Sequence, residues 1–406
     1  MGAVRLAPVL AALLGASLLA APTVAQAADT VPLTSTFNHP AGTGAEQNAI
    51  RNQLVSLIQR SPSGSRIDGS IYLFTDTTVS AALVAAKERG VKVKMIIDGD
   101  SVDTGGSQYD TLKAGLGTTL SADSWVLACP VPRGCLGNRK LNADHTGAIN
   151  HNKFFLFSQV GDTDGVVFQT SANLTTTQRT KYFNNAVTIP DAGSGLYTTY
   201  RAYWEDLKKH GSSGSGLDHY YKTQQSGKYK TYFFPRKEDS GTYDKDPSTD
   251  TIVSLLKNVS CAGGVTRIRV GMYAFTRVQV ADKLVSLKQA GCRVDLLHND
   301  ESGNLGTAVG NAVKGNLTTV SRCKGTTQNA DGTTRAIGVH SKYLLIEGTY
   351  LDATGRKLVF TGSHNYTFPN LRSYDETLLK IDNAAVYDSF KANFESMRTG
   401  SYCTQY

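Results

Sequence analysis

The stretch from Ser65 to Ser101, SRIDGSIYLFTDTTVSAALVAAKERGVKVKMIIDGDS, has a near copy from Thr266 to Ser302, TRIRVGMYAFTRVQVADKLVSLKQAGCRVDLLHNDES. Each stretch predicts a strand, a helix with apolar residues at helical spacing, a glycine that ends the helix, and a second strand. A strand–helix–strand crossover joins two parallel strands of one sheet. Identical residues stand 201 positions apart: Arg66/Arg267, Ile67/Ile268, Tyr72/Tyr273, Phe74/Phe275, Thr75/Thr276, Gly90/Gly291 and Val93/Val294. We therefore expect an internal duplication rather than two unrelated units of the same kind.

The duplication predicts an α/β chain of two similar halves, at 33–210 and 245–406. A length of 406 residues leaves room for two domains or for two large halves of one domain. The segment 211–244 between the halves starts with Gly and Ser residues and is interpreted as a linker. Its interleaved Lys, Tyr and Phe residues leave open a loop that touches a charged, apolar surface.

The first 27 residues have the layout of a secretory signal. Arg5 precedes an apolar run, and Ala25-Gln26-Ala27 supplies a small-x-small cleavage site. We therefore predict cleavage after Ala27 and a secreted, extracellular mature protein, with a single membrane anchor as the alternative. The body of the chain contains no stretch that is long and apolar enough to span a bilayer.

Six cysteines follow the signal, and an even number in an exported protein predicts disulfides. Cys129 and Cys135 bracket one Pro/Gly loop and are the pair that the sequence suggests. Six cysteines allow fifteen pairings, so the connectivity stays open. No Cys-x-x-Cys spacing occurs, and a zinc site is not expected. The four cysteines for which the sequence suggests no particular pairing are Cys261, Cys292, Cys323 and Cys403.

The chain is basic, with a formal net charge of +8 and an ordinary hydrophobic content of 40%. A basic exported protein is attracted to anionic partners such as phospholipid headgroups, nucleic acid or cell-wall polymers. A solvated basic surface without a partner explains the charge almost as well. The charge therefore indicates a class of partner and no more.

Two strand-like segments each carry a histidine and a lysine two residues apart. They are AINHNKFFLFSQV (148–160), with His151 and Lys153, and IGVHSKYLLIEGTY (337–350), with His340 and Lys342. On a strand, such residues point to the same side. The residues that follow are apolar, as in a buried strand, where a charged pair is costly unless it faces a pocket. A lone histidine there would favour a core residue, but the duplication indicates a functional site.

A Ser-x-Asn turn follows each segment at the end of another apolar strand. FQTSANLT contains Ser171 and Asn173, and FTGSHNYT contains Ser363 and Asn365. Two histidines, two lysines and these turns would form a cationic, donor-rich cup that suits a phosphate with two ester arms. One histidine can attack phosphorus, and the other can protonate the leaving oxygen and then activate water or an alcohol. We see no carboxylate cluster for a metal, so neither a metal nor another cofactor is expected.

The repeated pattern of His-x-Lys, four residues, an acidic position and then Gly-Ser-x-Asn resembles the phospholipase D superfamily. The resemblance covers nearly the whole mature chain. It implies two α/β halves, each a mixed sheet flanked by helices, related by a pseudo-twofold axis with one active site at their interface. It also implies hydrolysis or transfer of phosphodiesters through a phosphohistidine. The resemblance implies that His151 and His340 are the nucleophile and the general acid/base. It implies that four residues bind the phosphate: Lys153, Lys342, Asn173 and Asn365. Ser171 and Ser363 would support these residues.

The chain departs from the family's pattern at three positions. Where the family has Asp, the first copy has Ser158 and the second has Glu347, and Thr170 replaces the usual Gly of the first copy. The acidic position is mostly supportive in the family. We therefore expect Glu347 to support the site, with altered hydrogen bonding around it rather than a loss of chemistry.

A further pair is suggested by FNNAVTIPD (183–191) and SYDETLLKID (373–382), which we align to place Asn185 opposite Glu376. In the family, an acid here in one half supports the histidine of the other half. Glu376 would then orient His151 and stabilise its charged form. Asn185 would face His340 without a charge. This difference favours His151 as the nucleophile.

The pattern names a reaction but not a substrate. We expect a secreted phospholipase D that acts on glycerophospholipids such as phosphatidylcholine at a membrane or micelle surface, by hydrolysis and possible transphosphatidylation. One alternative is a secreted, metal-independent nuclease of the same superfamily, which the positive charge also fits. Another is a phosphate-recognising binding protein with a degenerate site, for which Ser158 is the sole support. A pseudo-twofold inside one chain can replace a homodimer, so we expect a monomer.

Overall fold

The protein is represented by a computed structural model, which describes residues 1–4, 7, 28–140, 147–240, 245–329 and 331–406. The predicted signal at residues 1–27 falls almost entirely outside the described residues. Two similar halves make up the described chain, and each is built around a mixed sheet.

The first half extends from residue 34 to residue 212. Its elements are β1 (Thr34–Phe37), α1 (Gly44–Gln47), α2 (Ala49–Gln59), β2 (Arg66–Ile71), α3 (Thr77–Glu88), β3 (Lys92–Ile97), a 3-10 turn (Gly99–Ser101), α4 (Tyr109–Leu116), β4 (Trp125–Ala128), β5 (Lys153–Val160), β6 (Thr163–Thr170), α5 (Thr176–Thr180), β7 (Tyr182–Phe183), β8 (Asn185–Pro190) and α6 (Leu196–Ser212). The sheet has the order β1-β8-β6-β5-β2-β3-β4. Strands β2, β3 and β4 run parallel, and the other neighbours are antiparallel.

The second half extends from residue 222 to residue 405. Its elements are β9 (Lys222–Ser226), β10 (Tyr229–Phe233), α7 (Thr251–Leu256), β11 (Val259–Ser260), a 3-10 turn (Ala262–Gly264), β12 (Arg267–Met272), α8 (Val278–Gln289), β13 (Arg293–Asn299), α9 (Thr307–Val313), β14 (Thr319–Cys323), β15 (Gly325–Gln328), β16 (Thr334–Val339), β17 (Lys342–Tyr350), β18 (Ala353–Gly362), α10 (Phe368–Arg372), β19 (Thr377–Asp382), α11 (Ala384–Thr399) and β20 (Cys403–Gln405). The sheet order is β20-β14-β13-β12-β17-β18-β19-β10-β9, with β11 on β17. A small sheet, β15-β16-β7, joins the two halves.

The duplicated stretch forms the predicted crossover in both halves. Helix α3 connects the parallel strands β2 and β3, and α8 connects β12 and β13 in the same way. Gly90 and Gly291 follow the two helices with φ of 91° and 101°, a conformation that favours glycine. Asp76 caps the start of α3 by accepting hydrogen bonds from the N–H groups of Thr78 and Val79. The predicted α/β fold with two duplicated halves is confirmed.

The predicted linker at 211–244 is wrong for the residues of β9 and β10. These two strands form a hairpin, and β10 pairs antiparallel with β19 from Tyr229↔Ile381 to Phe233↔Thr377. The interleaved aromatic residues are explained by burial on both faces of the sheet, since Tyr232 packs in the outer core and Phe233 in the core between the halves. Residues 241–244 of the predicted linker lie outside the described residues.

The two sheets share an apolar core that contains α6 and α11. Tyr203 of α6 stacks on Phe233 of β10 with ring centroids 4.1 Å apart, and Phe390 of α11 meets Phe37 of β1 edge-on at 5.0 Å. Each half therefore packs a helix against a strand of the other sheet. Separate outer cores bury α2, α3 and α4 on the first sheet and α7, α8 and α9 on the second. The common core fixes the halves relative to each other.

Three disulfides are present: Cys129–Cys135, Cys261–Cys292 and Cys323–Cys403. The first of them confirms the pairing suggested by the sequence. Cys323–Cys403 attaches the C-terminal strand β20 to β14. In the part of the chain that the structure describes, we find no helix with the length and apolar character needed to cross a membrane.

We predict that Cys323→Ala/Cys403→Ala destabilises the protein more than Cys129→Ala/Cys135→Ala does. The first disulfide joins residues 80 positions apart and the second joins residues 6 positions apart, so they restrict the unfolded chain to different extents. Chain entropy gives losses of about 4.5 and about 2 kcal/mol in the free energy of unfolding. Urea unfolding followed by circular dichroism measures both. Equal losses, or the reverse order, would contradict the prediction.

Candidate active site

The two halves exchange backbone hydrogen bonds at their interface. The N–H of His151 donates to the carbonyl of Asp375 at 3.0 Å, and the N–H of His340 donates to the carbonyl of Phe183 at 2.8 Å. Strand β16 also pairs with β7, with Val339 opposite Phe183. Each histidine is therefore positioned by the segment that follows the Ser-x-Asn turn of the other half.

A second pair of equivalent residues holds the backbone just before each histidine. Asp98, directly after β3, accepts a hydrogen bond from the N–H of Asn150 at 2.5 Å. Asn299, 201 positions further on, accepts one from the N–H of Val339 at 3.0 Å. Burial raises the pKa of Asp98 to about 8. The position of both histidines thus depends on the ends of the duplicated strands β3 and β13.

His151 lies against a buried carboxylate of the other half. Its Nδ1 is 2.7 Å from Oε1 of Glu376, which is fully buried and also accepts hydrogen bonds from Ser363 Oγ and Asn370 Nδ2. Because a carboxylate accepts this bond, Nδ1 carries the proton and Nε2 keeps its lone pair. Burial raises the pKa of Glu376 to about 7. Glu376 occupies the place beside His151 that the sequence predicted.

His340 lies against an amide instead. Its Nδ1 is 3.1 Å from Oδ1 of Asn184. The amide nitrogen of Asn184 donates to the carbonyls of Gln178 at 3.0 Å and Tyr182 at 3.2 Å, so Oδ1 must face His340 and the hydroxyl of Ser171. The two histidines therefore differ in the charge behind them, a carboxylate for one and a neutral amide for the other.

The prediction that Asn185 faces His340 is wrong by one position. Asn184 is the equivalent of Glu376, while the side chain of Asn185 donates to Thr361 Oγ1 at 2.8 Å. Successive side chains of a strand point to opposite sides, so a shift of one residue moves the side chain to the other face. The two adjacent asparagines concealed this shift in the sequence.

The two lysines are buried and donate to main-chain carbonyls. Lys153 Nζ is 2.7 Å from the carbonyl of His151, and Lys342 Nζ is 2.8 Å from that of His340. Burial lowers the pKa of Lys153 to about 7 and that of Lys342 well below its ordinary value. Neither ammonium forms an ion pair with a carboxylate of the described residues. A bound anion would supply the missing acceptors.

The four side chains act on one another electrostatically. Burial, followed by the charges of Lys153 and Lys342, lowers the pKa of His151 well below 6.5. The pKa of His340 is lowered in the same way, by burial and then by both lysines and His151. Such effects require short separations in a shared environment. The two His-x-Lys segments, one from each half, therefore lie within reach of each other's charges at the interface of the halves, which we call the cavity.

The Ser-x-Asn turns lie at the ends of β6 and β18. Ser171 donates to Asn184 Oδ1 at 3.0 Å, and Ser363 donates to Glu376, so both serines fix the groups behind the histidines. Asn365 Oδ1 accepts from the N–H of Ala274 at 3.3 Å. The buried Oδ1 of Asn173 has no hydrogen-bond partner within the described residues.

Glu347 does not contribute to this cavity. Its carboxylate accepts from Tyr387 OH at 3.1 Å and pairs with Arg269 at 3.5 Å, so it ties β17 to α11 and β12. In the first half, Ser158 Oγ accepts from the N–H of Arg66 at 2.8 Å. Both residues lie further along their strands than the lysines. The expected supporting role of Glu347 is therefore not seen at the histidines.

Sequence reasoning missed four tyrosines. Each histidine ring lies near two tyrosine rings, one from its own half and one from the other. The centroid distances are 5.3 Å to Tyr72 and 6.3 Å to Tyr374 for His151, and 4.4 Å to Tyr273 and 5.6 Å to Tyr182 for His340. The identity of Tyr72 and Tyr273 in the duplication was the available signal. The other two each stand two residues before the group behind a histidine.

A duplicated α/β fold that brings one His-x-Lys segment from each half into a single cavity is characteristic of the phospholipase D superfamily. The family described as "Cardiolipin synthase, PLD-like domain" matches residues 54–208 and 255–398. The chain belongs to this family. Its members share a phosphodiesterase-like fold, so the resemblance noted in the sequence is confirmed.

Two solved structures show the same fold. The phosphatidylserine synthase of Haemophilus influenzae Rd KW20 is 13% identical with a TM-score of 0.51, and the match covers 89% of this chain and 86% of the synthase. The polyphosphate kinase of Porphyromonas gingivalis is 14% identical with a TM-score of 0.56, over 92% of this chain and 48% of the kinase. The chain spans about half the length of that kinase. No match was found among curated protein sequences.

We predict that inorganic phosphate stabilises the protein, because it supplies acceptors to two buried ammonium groups. At about one hundred times its Kd, phosphate should add about 2.7 kcal/mol to the free energy of unfolding. Lys342→Met should remove this gain, and Lys209→Met, at an exposed position on α6, should keep it. Thermal unfolding with increasing phosphate measures the effect. Equal stabilisation of the Lys342→Met variant would contradict the prediction.

Proposed function

We propose that this protein is a secreted phospholipase D that cleaves the headgroup phosphodiester of glycerophospholipids through a covalent phosphohistidine. The observation that carries the proposal is that each histidine is held at the interface by the other half, with a carboxylate behind His151 and an amide behind His340. In a reaction with one nucleophile and one acid, such a difference favours one histidine for each role. The family to which the chain belongs and the similar synthase are both named after enzymes of phospholipids.

In the first step, Nε2 of His151 attacks phosphorus, and the bond between phosphorus and the headgroup oxygen breaks. The imidazole gains positive charge as the N–P bond forms, and the carboxylate of Glu376 stabilises that charge. His340, in its protonated form, gives its proton to the leaving oxygen. The headgroup alcohol departs, and the phosphatidyl group stays on His151.

In the second step, the now neutral His340 takes a proton from water, which attacks the phosphohistidine. The N–P bond breaks, phosphatidic acid leaves, and His151 returns to its neutral form. An alcohol in place of water gives a transfer product by the same route. Lys153, Lys342, Asn173 and Asn365 bind the non-bridging oxygens, whose negative charge grows in the transition state.

Nucleic acid is the second candidate substrate, and the net charge of +8 favours it. The interleaved Lys, Tyr and Phe residues of the segment 211–244 give no argument for a lipid surface where they belong to the strands β9 and β10. The binding-protein alternative has lost its support. Ser158 bonds to the main chain of β2 rather than to a histidine, so its presence says nothing against catalysis.

The protein, with a chelator present, should convert phosphatidylcholine and ethanol into phosphatidylethanol. His151→Ala should abolish this activity, because no phosphatidyl group can be held. Plasmid DNA under the same conditions tests the second candidate. Nicked DNA without phosphatidylethanol would contradict the phospholipase and support the nuclease. If neither product formed, both candidate functions would be rejected. A phosphoryl group trapped on the His151→Ala variant would assign the nucleophile to His340.

We predict that Asn184→Asp moves the alkaline limb of the pH profile of kcat/KM to higher pH. In the proposed mechanism His340 must be protonated, so the rate falls as pH rises through its pKa. A carboxylate in place of the amide oxygen favours the charged imidazole and raises that pKa by about 1 to 3 units. The groups that face His340 otherwise stay the same: Lys153, Lys342, His151, Tyr182 and Tyr273.

The matched control is Asn185→Asp, at the neighbouring position that does not face His340. Its alkaline limb should coincide with that of the unaltered protein. An Asn184→Asp profile with an unmoved alkaline limb would show that His340 is not the acid.

A further inference from the structure

Beside His340 lies a carboxylate that neutral donors hold in place. Glu301, two residues beyond β13, accepts hydrogen bonds from Tyr182 OH at 2.8 Å on both oxygens, from Asn299 at 3.0 Å and from Asn304 at 3.4 Å. The hydroxyl of Tyr273 is 3.5 Å away. Burial raises the pKa of Glu301, but hydrogen bonds from Lys181 and Tyr182 outweigh burial and lower it. Lys181 is the largest contributor to this lowering, while Tyr182, Asn299 and Asn304 hold the carboxylate in place by neutral hydrogen bonds.

An ammonium group already occupies this place. Lys181 Nζ is 2.5 Å from Glu301 Oε1 and 5.0 Å from the ring centroid of Tyr182. The side chains of Lys181 and Glu301 are 32% and 36% exposed, so the pair is open to solvent. Between a carboxylate and an aromatic face, an ammonium is bound by charge and by cation–π attraction. The flexible stem of a lysine allows it to leave.

Two tyrosine rings connect this carboxylate to His340. The rings of Tyr182 and Tyr273 lie 5.6 and 4.4 Å from that of His340, and their hydroxyls point to Glu301. If His151 is the nucleophile, the leaving oxygen is on the side of His340. A leaving group that extends from this oxygen would lie along the two rings, with its far end near Glu301.

The other side of the cavity differs in this respect. Asp100 stands at the position equivalent to Glu301, 201 residues earlier, and is exposed. Ser373, directly before Tyr374, occupies the place that Lys181 has before Tyr182. The side of His340 is thus distinguished by a carboxylate that already binds an ammonium. The two ester arms of a phosphodiester would meet different surroundings.

We infer that Glu301 and the rings of Tyr182 and Tyr273 form a binding site for an alkylammonium leaving group, such as choline or ethanolamine. Lys181 occupies the site in the free protein and leaves it when the substrate binds. This inference rests on the proposed function, because the mechanism defines the leaving side. In both headgroups two carbons separate the ester oxygen from the nitrogen, so the ammonium extends from His340 along the rings.

The lipid experiment compares kcat/KM for phosphatidylcholine and phosphatidylglycerol, with identical acyl chains, in neutral detergent micelles. Glu301→Gln should lower the choline-to-glycerol ratio about tenfold, as expected for the loss of one charged contact. Lys181→Met should raise the ratio, because it removes the competing ammonium. Asp388→Asn, which breaks the exposed ion pair with Lys357 at 2.8 Å, is the control and should leave the ratio unchanged. An equal effect of Glu301→Gln on both lipids would overturn the inference.

A binding experiment separates this inference from the proposed function. Calorimetry compares phosphocholine with glycerol 3-phosphate and requires no turnover. Tighter binding of phosphocholine that Glu301→Gln abolishes would support the ammonium site even if no lipid were cleaved. Equal affinities for the two compounds in the unaltered protein would reject the site even if phosphatidylcholine were cleaved.

Discussion

The backbone N–H of each histidine donates a hydrogen bond to a carbonyl of the opposite half: His151 to Asp375, and His340 to Phe183. Together with the hydrogen bonds that Asp98 and Asn299 accept, these two hydrogen bonds position the backbone of both histidines. A half on its own would keep the contact with Asp98 or Asn299 but would lose the carbonyl that holds the histidine from the other half. The common core around α6 and α11 therefore matters for chemistry as well as for stability, since it keeps the two carbonyls in register with the strands that they hold.

Without a bound anion, the buried ammonium groups of the cavity lower the stability of the folded protein. Two ammonium groups, each fully or almost fully buried, face two imidazoles and have main-chain carbonyls as acceptors. Desolvation of such groups costs roughly several kcal/mol each. Burial and then the charges of the lysines lower the pKa of both histidines, and a carboxylate, that of Glu376, lies beside only one of them. A phosphodiester would bring the negative charge that this arrangement lacks.

The site residues that occur in both halves could be predicted from the sequence, whereas positions at which the two halves differ were missed. Histidines, lysines and Ser-x-Asn turns occur twice in matching contexts, so these residues could be assigned to one site from the sequence. Asn184 was missed because two adjacent asparagines leave the register undecided, and only the pairing of the strands shows which one faces inward. The hairpin of β9 and β10 has no counterpart in the duplicated stretches. The Gly and Ser residues that precede it in the chain led to the prediction of a linker. Glu347 was misplaced because a family pattern carries spacing along the chain but not the far partners, such as Tyr387.

A cavity with true twofold symmetry would accept a phosphodiester in two opposite directions, and either imidazole could then attack. In the proposed mechanism Asn184 would remove this ambiguity, because an amide cannot support an imidazolium as a carboxylate can. The exchange of one carboxylate for an amide would therefore give the cavity a polarity, with one end for the group that is retained and one for the group that is released. A duplicated ancestor with equal halves would have lacked that polarity, and each half could since have adapted to a different arm of the substrate.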